Sequence, residues 1–227
     1  MNILHLPCIE IDEVQEVVPV TTFRNMPRLR TSHDWTSVAK TAVWAEDCHK
    51  LFKRATLAKQ QHHLSQQEGT SDNIPPNSLW LVLVAGLSGT ARPIETHHEA
   101  SFARYAAFLD KVAKNPYRYS AVLDIDGIIP EVEASIYLWS SKRLFGITEM
   151  GRAVLVPRGT RKGDKIILPA FSVVPIVVRQ SGGTRYEGKV LGEAFVPDVM
   201  SGDYVEKFKK THKRMEDAFN YAVWRIS

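Results

Sequence analysis

Apolar residues follow two rhythms along this chain: three- and four-residue spacing up to about position 141, and short β-branched runs beyond it. Ile3-Leu4-His5-Leu6 and the stretch from Ile9 to Val14 alternate loosely before Pro19 turns the chain, which predicts one or two short strands. Ser32 can cap a first turn, and Val38, Ala42, Ala45, Phe52 and Ala55 then recur at helical spacing, so a long helix is predicted to about residue 58. Residues 59–77 are rich in Gln, His, Ser, Thr and Asp and end in Pro75-Pro76. That composition has too little apolar surface to offset chain ordering and reads as a mobile surface loop. The apolar run 79–85 fits a helix or a buried strand equally well. Thr96 and Glu99 form a T-x-x-E capping box ahead of a face made by Phe102, Tyr105, Ala106, Leu109, Val112 and Ala113, and Asn115-Pro116 stops it. A shorter helix is predicted from Pro130 to about Trp139, with Glu131 and Glu133 favourably placed in its first turn.

After Lys142 the predicted strands are 144–148, 153–156, 165–168, 173–179 and 186–195, separated by the turn residues 159–163 and Ser181-Gly182-Gly183. Five strands at that spacing predict a small antiparallel barrel or a strongly bent sheet. Asp203 and Glu206 then form a cap, and Val205, Phe208, His212, Met215, Phe219 and Ala222 predict a C-terminal amphipathic helix. The expected fold class is α+β. A mainly helical part, residues 1–141 with short N-terminal strands and the loop at 59–77, would pack on a barrel-like β-rich domain, residues 142–227, that ends in the amphipathic helix.

Composition narrows the classes. A chain of 227 residues with 44% hydrophobic content can bury a sizeable core. The longest apolar run, 79–87, is about half of what a membrane span needs, and the acidic N-terminal stretch lacks the character of a secretory signal. Two cysteines, Cys8 and Cys48, without CxxC spacing give neither a disulfide framework nor a structural zinc site. A reducing, cytoplasmic location without a membrane partner is therefore expected. The net charge is only +4, yet residues 142–185 hold nine Lys or Arg against two acids, Glu149 and Asp164. A solvated basic face explains this more simply than nucleic-acid binding, because no aromatic platform or recognised motif accompanies the charges.

No catalytic residues, metal site, cofactor or small-molecule ligand is assigned. His62-His63 and His97-His98-Glu99 contain good zinc ligands, but neighbours on a helix point about 100° apart, so only one of each pair can face a site. Asp124-Ile125-Asp126-Gly127 opens like a calcium loop but continues with Ile128-Ile129, and reads as a turn. Gly86 to Thr90 matches no phosphate-binding pattern, and no G-x-S-x-G elbow exists. Arg158, Arg161 and Lys162 around a glycine-containing loop are the candidate contacts for an anion or a partner, through guanidinium hydrogen bonds to carboxylate or phosphate. The plainer reading of residues 159–164 is a charged β-turn.

Three stretches together resemble the region that follows the effector domain in fungal heterokaryon incompatibility proteins. Ser78-Leu79-Trp80-Leu81-Val82-Leu83-Val84-Ala85-Gly86 resembles a family segment that reads L-W-R-T-L-V-A-D, with Leu81-Val82 in place of Arg-Thr. The run Lys142 to Arg152, followed by Val156-Pro157 and Gly163-Asp164, is similar to a second segment with Arg, Phe, Thr, Gly and Pro in that order and a later Gly-Asp. Val174-Pro175-Ile176-Val177-Val178-Arg179 and the run from Leu191 to Asp203 resemble V-P-x-V-L-R and L-V-G-E-C-Y-V-H-G-I-M-D-G-E. Pro197-Asp198 stands where the family commonly has His-Gly, and Ser201 where it has Asp. The positions carrying the likeness are Trp80, Arg143, Phe145, Thr148, Gly151, Pro157, Gly163, Asp164, Pro175, Arg179, Gly192, Glu193 and Gly202, read as structural. Leu4 to Val17 is fainter but extends the likeness over nearly the entire chain.

The effector-domain hallmarks Y-x-A-L-S-Y-x-W-G and C-I-x-Q do not occur in this sequence. The resemblance therefore implies a truncated, non-catalytic regulatory or recognition protein whose partners are proteins, full-length relatives among them. Two rivals stand beside it: an accessory or tailoring enzyme of a fungal metabolic gene cluster with an unrecognised pocket, and a basic phosphate- or nucleic-acid-binding module.

Overall fold

A computed structural model of the chain describes residues 4–18, 35–66, 78–86, 96–114, 132, 135–136, 138–140, 142–170, 172–181, 186–200, 204, 206, 210 and 222–226. The fold is α+β with a small barrel. The chain divides into two compact units, residues 1–17 with 146–227, and residues 18–145.

The first unit is built on one long strand, β1 (Leu4–Val18). It is followed in the chain by β2 (Arg143–Thr148), β3 (Ala153–Pro157), β4 (Lys165–Pro169), β5 (Ile176–Gln180), β6 (Glu187–Glu193) and β7 (Ala222–Ile226). The strand order is β3-β2-β1-β4-β5-β6-β7, and β1 also pairs with β7, so β1, β4, β5, β6 and β7 close on themselves. Closure leaves those five strands without a free edge along the paired stretches. Fifteen residues let β1 serve several neighbours: Leu4 to Cys8 pair with Ile226 to Ala222, and Cys8 to Glu13 with Pro169 to Lys165. Most pairings are antiparallel, as expected, but β6 and β7 run parallel, so the barrel is mixed. The five strands predicted after Lys142 are present, β5 starting three residues later than expected and β6 ending two residues earlier.

The final strand corrects the sequence reading, which carried the amphipathic helix through Ala222. Ala222-Val223-Trp224-Arg225-Ile226 is strand β7. The physical reason is the alternation within it: Trp224 and Ile226 are buried, whereas Val223 and Arg225 are exposed, the period of a half-buried strand. Trp224 is fully enclosed in a cluster with Cys8, Ile167, Val178 and Ile226. Gly188 makes room for it. A Cβ there would lie 2.6 Å from Val178 Cγ1, 2.7 Å from the Arg179 carbonyl oxygen and 2.9 Å from Trp224 Cζ3. Of the predicted helix at 203–222, Tyr204, Glu206 and Lys210 are helical, Ala222 opens β7 and the rest lies outside the described residues.

The second unit contains α1 (Trp35–Gln66), α2 (Ser78–Leu83) and α3 (Thr96–Lys114). Helix α1 runs to Gln66, so residues 59–66 are helical where a mobile loop was expected; residues 67–77 lie outside the described set. Ala58, Lys59, Gln60 and Gln61 are good helix formers, and continuing an existing helix needs no new nucleus. Its buried stripe is Ala42, Trp44, Ala45, Cys48 and Leu51, while Phe52 and Ala55 are only half-buried. The face is thus turned by about one residue from the expected one. The ambiguous run is helical through Leu83, and the helix ends in a Schellman motif over residues 84–86. Gly86 N–H donates to Leu81 O at 2.8 Å and Ala85 N–H to Val82 O at 2.9 Å, with Ala85 left-handed at φ 52°. The buried Ser140 hydroxyl donates to Leu83 O, satisfying another terminal carbonyl. Helix α3 begins at Thr96 as expected and buries Phe102, Tyr105, Phe108, Leu109 and Val112. Val132, Ser135, Ile136, Leu138, Trp139 and Ser140 are helical, within the stretch predicted from Pro130.

Candidate interaction site

The loop between β3 and β4 brings the predicted anion contacts together on a braced frame. Arg158, Arg161 and Lys162 are exposed, and Asp164, at their foot, is 2% exposed. A buried carboxylate is costly unless paired and hydrogen-bonded, and Asp164 is both. Its Oδ1 accepts from Arg179 Nε at 2.8 Å, and its Oδ2 accepts from Arg179 Nη2 at 2.7 Å and from the Arg161 backbone N–H at 2.8 Å. Arg179 Nη2 also donates to Gly159 O at 2.6 Å. The two-pronged geometry suits the planar guanidinium. The hydrogen bonds to Asp164, with its charge beside them, raise the Arg179 pKa against a smaller opposing effect of burial. Gly163, at φ 89°, takes the left-handed turn that returns the chain to β4, and its N–H donates to Val14 O while Val14 N–H donates to Asp164 O, both at 2.9 Å. Arg179 thus pairs with the acid of the loop, and the side chains of Arg158, Arg161 and Lys162 are exposed around its tip.

A second node lies farther along the same frame. Arg152 Nη1 donates to Asp12 Oδ2 at 2.8 Å and Arg152 Nε to Asp198 Oδ2 at 2.9 Å, and the guanidinium lies 5.5 Å from the ring centre of Tyr204. The Asp12 side chain is 2% exposed and also accepts from the backbone N–H groups of Glu13 and Met150. Burial works against the charge on Arg152, but Asp198 and Asp12 outweigh it and raise its pKa. Burial likewise raises the Tyr204 pKa, with Arg152 opposing and the two aspartates adding to it. Asp198 lies in the first turn of the short helix α4 (Pro197–Met200), so this node ties β1, the β2–β3 turn and α4 together. Beside it, Lys165 Nζ bridges Glu10 Oε1 and Glu13 Oε2, both at 2.9 Å.

The positions of the family likeness have structural places. Trp80 stacks on Phe102, with centroids 6.3 Å apart, in the helical unit. Phe145 is fully buried, and the hydroxyl of buried Thr148 accepts from Arg152 N–H at 3.0 Å across the turn that contains Gly151. Arg143 opens β2 half-buried, and Glu193 ends β6 exposed. Gly192 faces the Pro157 ring, and the Pro175 carbonyl accepts from Ala194 N–H at 2.9 Å. Gly163, Asp164 and Arg179 form the brace of the basic loop, which the sequence placed in a turn but did not connect. Reading by residue type missed Arg152 as the partner of Asp12 and Asp198. Asp12 is one of four acids in β1, with Glu10, Glu13 and Glu16, and what sets it apart is its burial, which local sequence does not show. Gly202, the runs 87–90 and 124–127, and the side chains of His62, His63, His97 and His98 lie outside the described residues.

Neither cysteine forms a disulfide, and both are buried. Among the described residues, no group of three or more His, Cys, Asp or Glu is arranged to hold a metal ion, and no helix is long and apolar enough to cross a membrane. Comparison of the chain with protein-family models, curated proteins and solved structures finds no match.

Proposed function

We propose that this chain is a non-catalytic interaction or regulatory protein of the cytoplasm, related to the fungal heterokaryon incompatibility proteins, that meets an acidic surface of a protein partner through Arg158, Arg161 and Lys162. The observation that carries this reading is the brace under the loop: Asp164 holds Arg179 and the Arg161 N–H at 2.7–2.8 Å, leaving the three cations exposed on a fixed backbone. A preorganised loop loses less conformational entropy on binding than a mobile one. Arginine suits planar carboxylates, so the charge favours an acidic partner, full-length relatives among the candidates. The test is capture of the tagged chain from its native cells, alongside Arg158→Ala/Arg161→Ala/Lys162→Ala, with mass spectrometry of what co-purifies. A specific protein lost in the triple variant supports the reading. No partner from folded, abundant protein, or an undiminished one in the variant, sinks it.

A further inference from the structure

We propose that the helical unit carries a second site, separate from the basic loop, that binds a small organic cation: an ammonium on an apolar or aromatic stem. The site is a cleft of about 200 Å³ bounded by α1, α2 and α3. Its hollow exists because Ala45 of α1 and Ala106 of α3 are small where the helices face each other. Phe52 and Trp80 wall it. The Trp80 ring is set in place by Phe102, stacked at 6.3 Å, and by Tyr105, edge-on at 6.2 Å. This volume lies below the roughly 300–1,000 Å³ of drug-sized ligand sites, which favours a single aromatic amine over a nucleotide or a peptide.

Charge selects the ligand. The lining includes Glu46 and His49 from α1 and Asp110 from α3. Both carboxylates already hold an ammonium group from outside the lining: Lys114 Nζ lies 2.7 Å from Asp110 Oδ2 and Lys50 Nζ 2.8 Å from Glu46 Oε1. The Lys114 pKa is raised by its hydrogen bond to Asp110, by the Asp110 charge and, against slight burial, by Glu46 as well, so carboxylates of two different helices act on one cation. These lysines are easily displaced, because their side chains are 62% and 74% exposed and exposed pairs contribute little. A ligand ammonium takes the same place while its stem covers Phe52 and Trp80, a gain that a solvated lysine stem does not make. A neutral ligand leaves the two carboxylates to their lysines, whereas an ammonium can replace a lysine on either of them.

The test titrates the full chain, ¹⁵N-labelled at tryptophan, with 2-phenylethylamine and separately with 2-phenylethanol at pH 7, following the indole resonance that Trp80→Phe removes. The amine is expected to shift that resonance saturably, and the alcohol to bind at least tenfold more weakly. E46Q with D110N is expected to weaken the amine at least tenfold and leave the alcohol unchanged. Both positions are surface-exposed, and circular dichroism checks that the variant is folded. Ala106→Leu, which fills the hollow, is expected to abolish the response to either ligand. No saturable shift, equal affinity for amine and alcohol, or indifference to E46Q and D110N overturns the proposal.

Discussion

Two buried thiols and one glycine show how single residues carry this fold. Burial, helped by the charge of Glu10 and opposed by a backbone hydrogen bond, pushes the Cys8 thiol from 9.0 up to about 12, and burial raises Cys48 as well. Thiolate is the reactive form, so a disulfide reagent at pH 8 is expected to leave both thiols unmodified in the native protein and to modify both in denaturant. A Cys8 that reacts at once in the native state would contradict its placement against Trp224. The same shift has a pH consequence. A group whose pKa is higher folded than unfolded keeps its proton in the fold after the unfolded chain has lost it. Its stabilisation is therefore whole below about pH 9 and lost as pH rises towards 12. Lys165, raised because its bonds to Glu10 and Glu13 outweigh burial, acts in the same direction. The thermal midpoint is expected to fall between pH 9 and pH 11, and less steeply in Cys8→Ala. Gly188→Ala meets backbone and ring atoms closer than 3.0 Å and is expected to cost at least about 1–3 kcal/mol, measured by chemical denaturation. The need for glycine at 188 was not legible in sequence, because it depends on how close Val178 and Trp224 come from other strands. The turn at Gly163-Asp164 was legible; the reach of Asp164 to Arg179, fifteen residues away, was not.

Among the elements, β7 decides whether the barrel closes. Trp224 is fully buried but its indole N–H finds no partner among the described residues, so its worth lies in volume and apolar contact. Trp224→Ala is expected to cost about 3–5 kcal/mol and Trp224→Phe clearly less. Equal losses in calorimetry would mean that the ring does not fill the barrel as described. The strands from β2 to β6 were legible because β-branched runs alternate there with Gly- and Asp-bearing turns. Strand β7 was not, because Ala222 also continues the three-four spacing of the residues before it and five residues are too few to establish a period. Helix α3 was legible through its capping box and its Asn-Pro stop. The burial face of α1 was harder to read: an apolar count passes over the small, polarizable Cys48 in favour of Phe52, although Cys48 is fully buried with Trp44 and Leu51 close to it along the same stripe.

At the scale of the molecule, the first residues belong with the last eighty. Residues 1–17 and 146–227 form one unit, and β1 is the strand on which β4 and β7 both pair. A fragment of residues 146–227 is therefore expected to stay unfolded alone and to fold when a peptide of residues 1–17 is added, read by near-ultraviolet circular dichroism of Trp224. Folding of the fragment by itself would show β1 to be dispensable. That long-range pairing could not be read from local pattern, which gave the strand but not its neighbours. The same strand positions the proposed contact, since Val14 holds the backbone of Gly163 and Asp164 while Arg179 holds the Asp164 side chain. The most direct measurement is the affinity of a recovered partner for the native chain and for Arg158→Ala/Arg161→Ala/Lys162→Ala, at low and at physiological salt. At least a tenfold loss in the variant, larger at low salt and with the thermal midpoint unchanged, is expected if the braced basic loop is the contact. Equal affinity at both salt concentrations would contradict it.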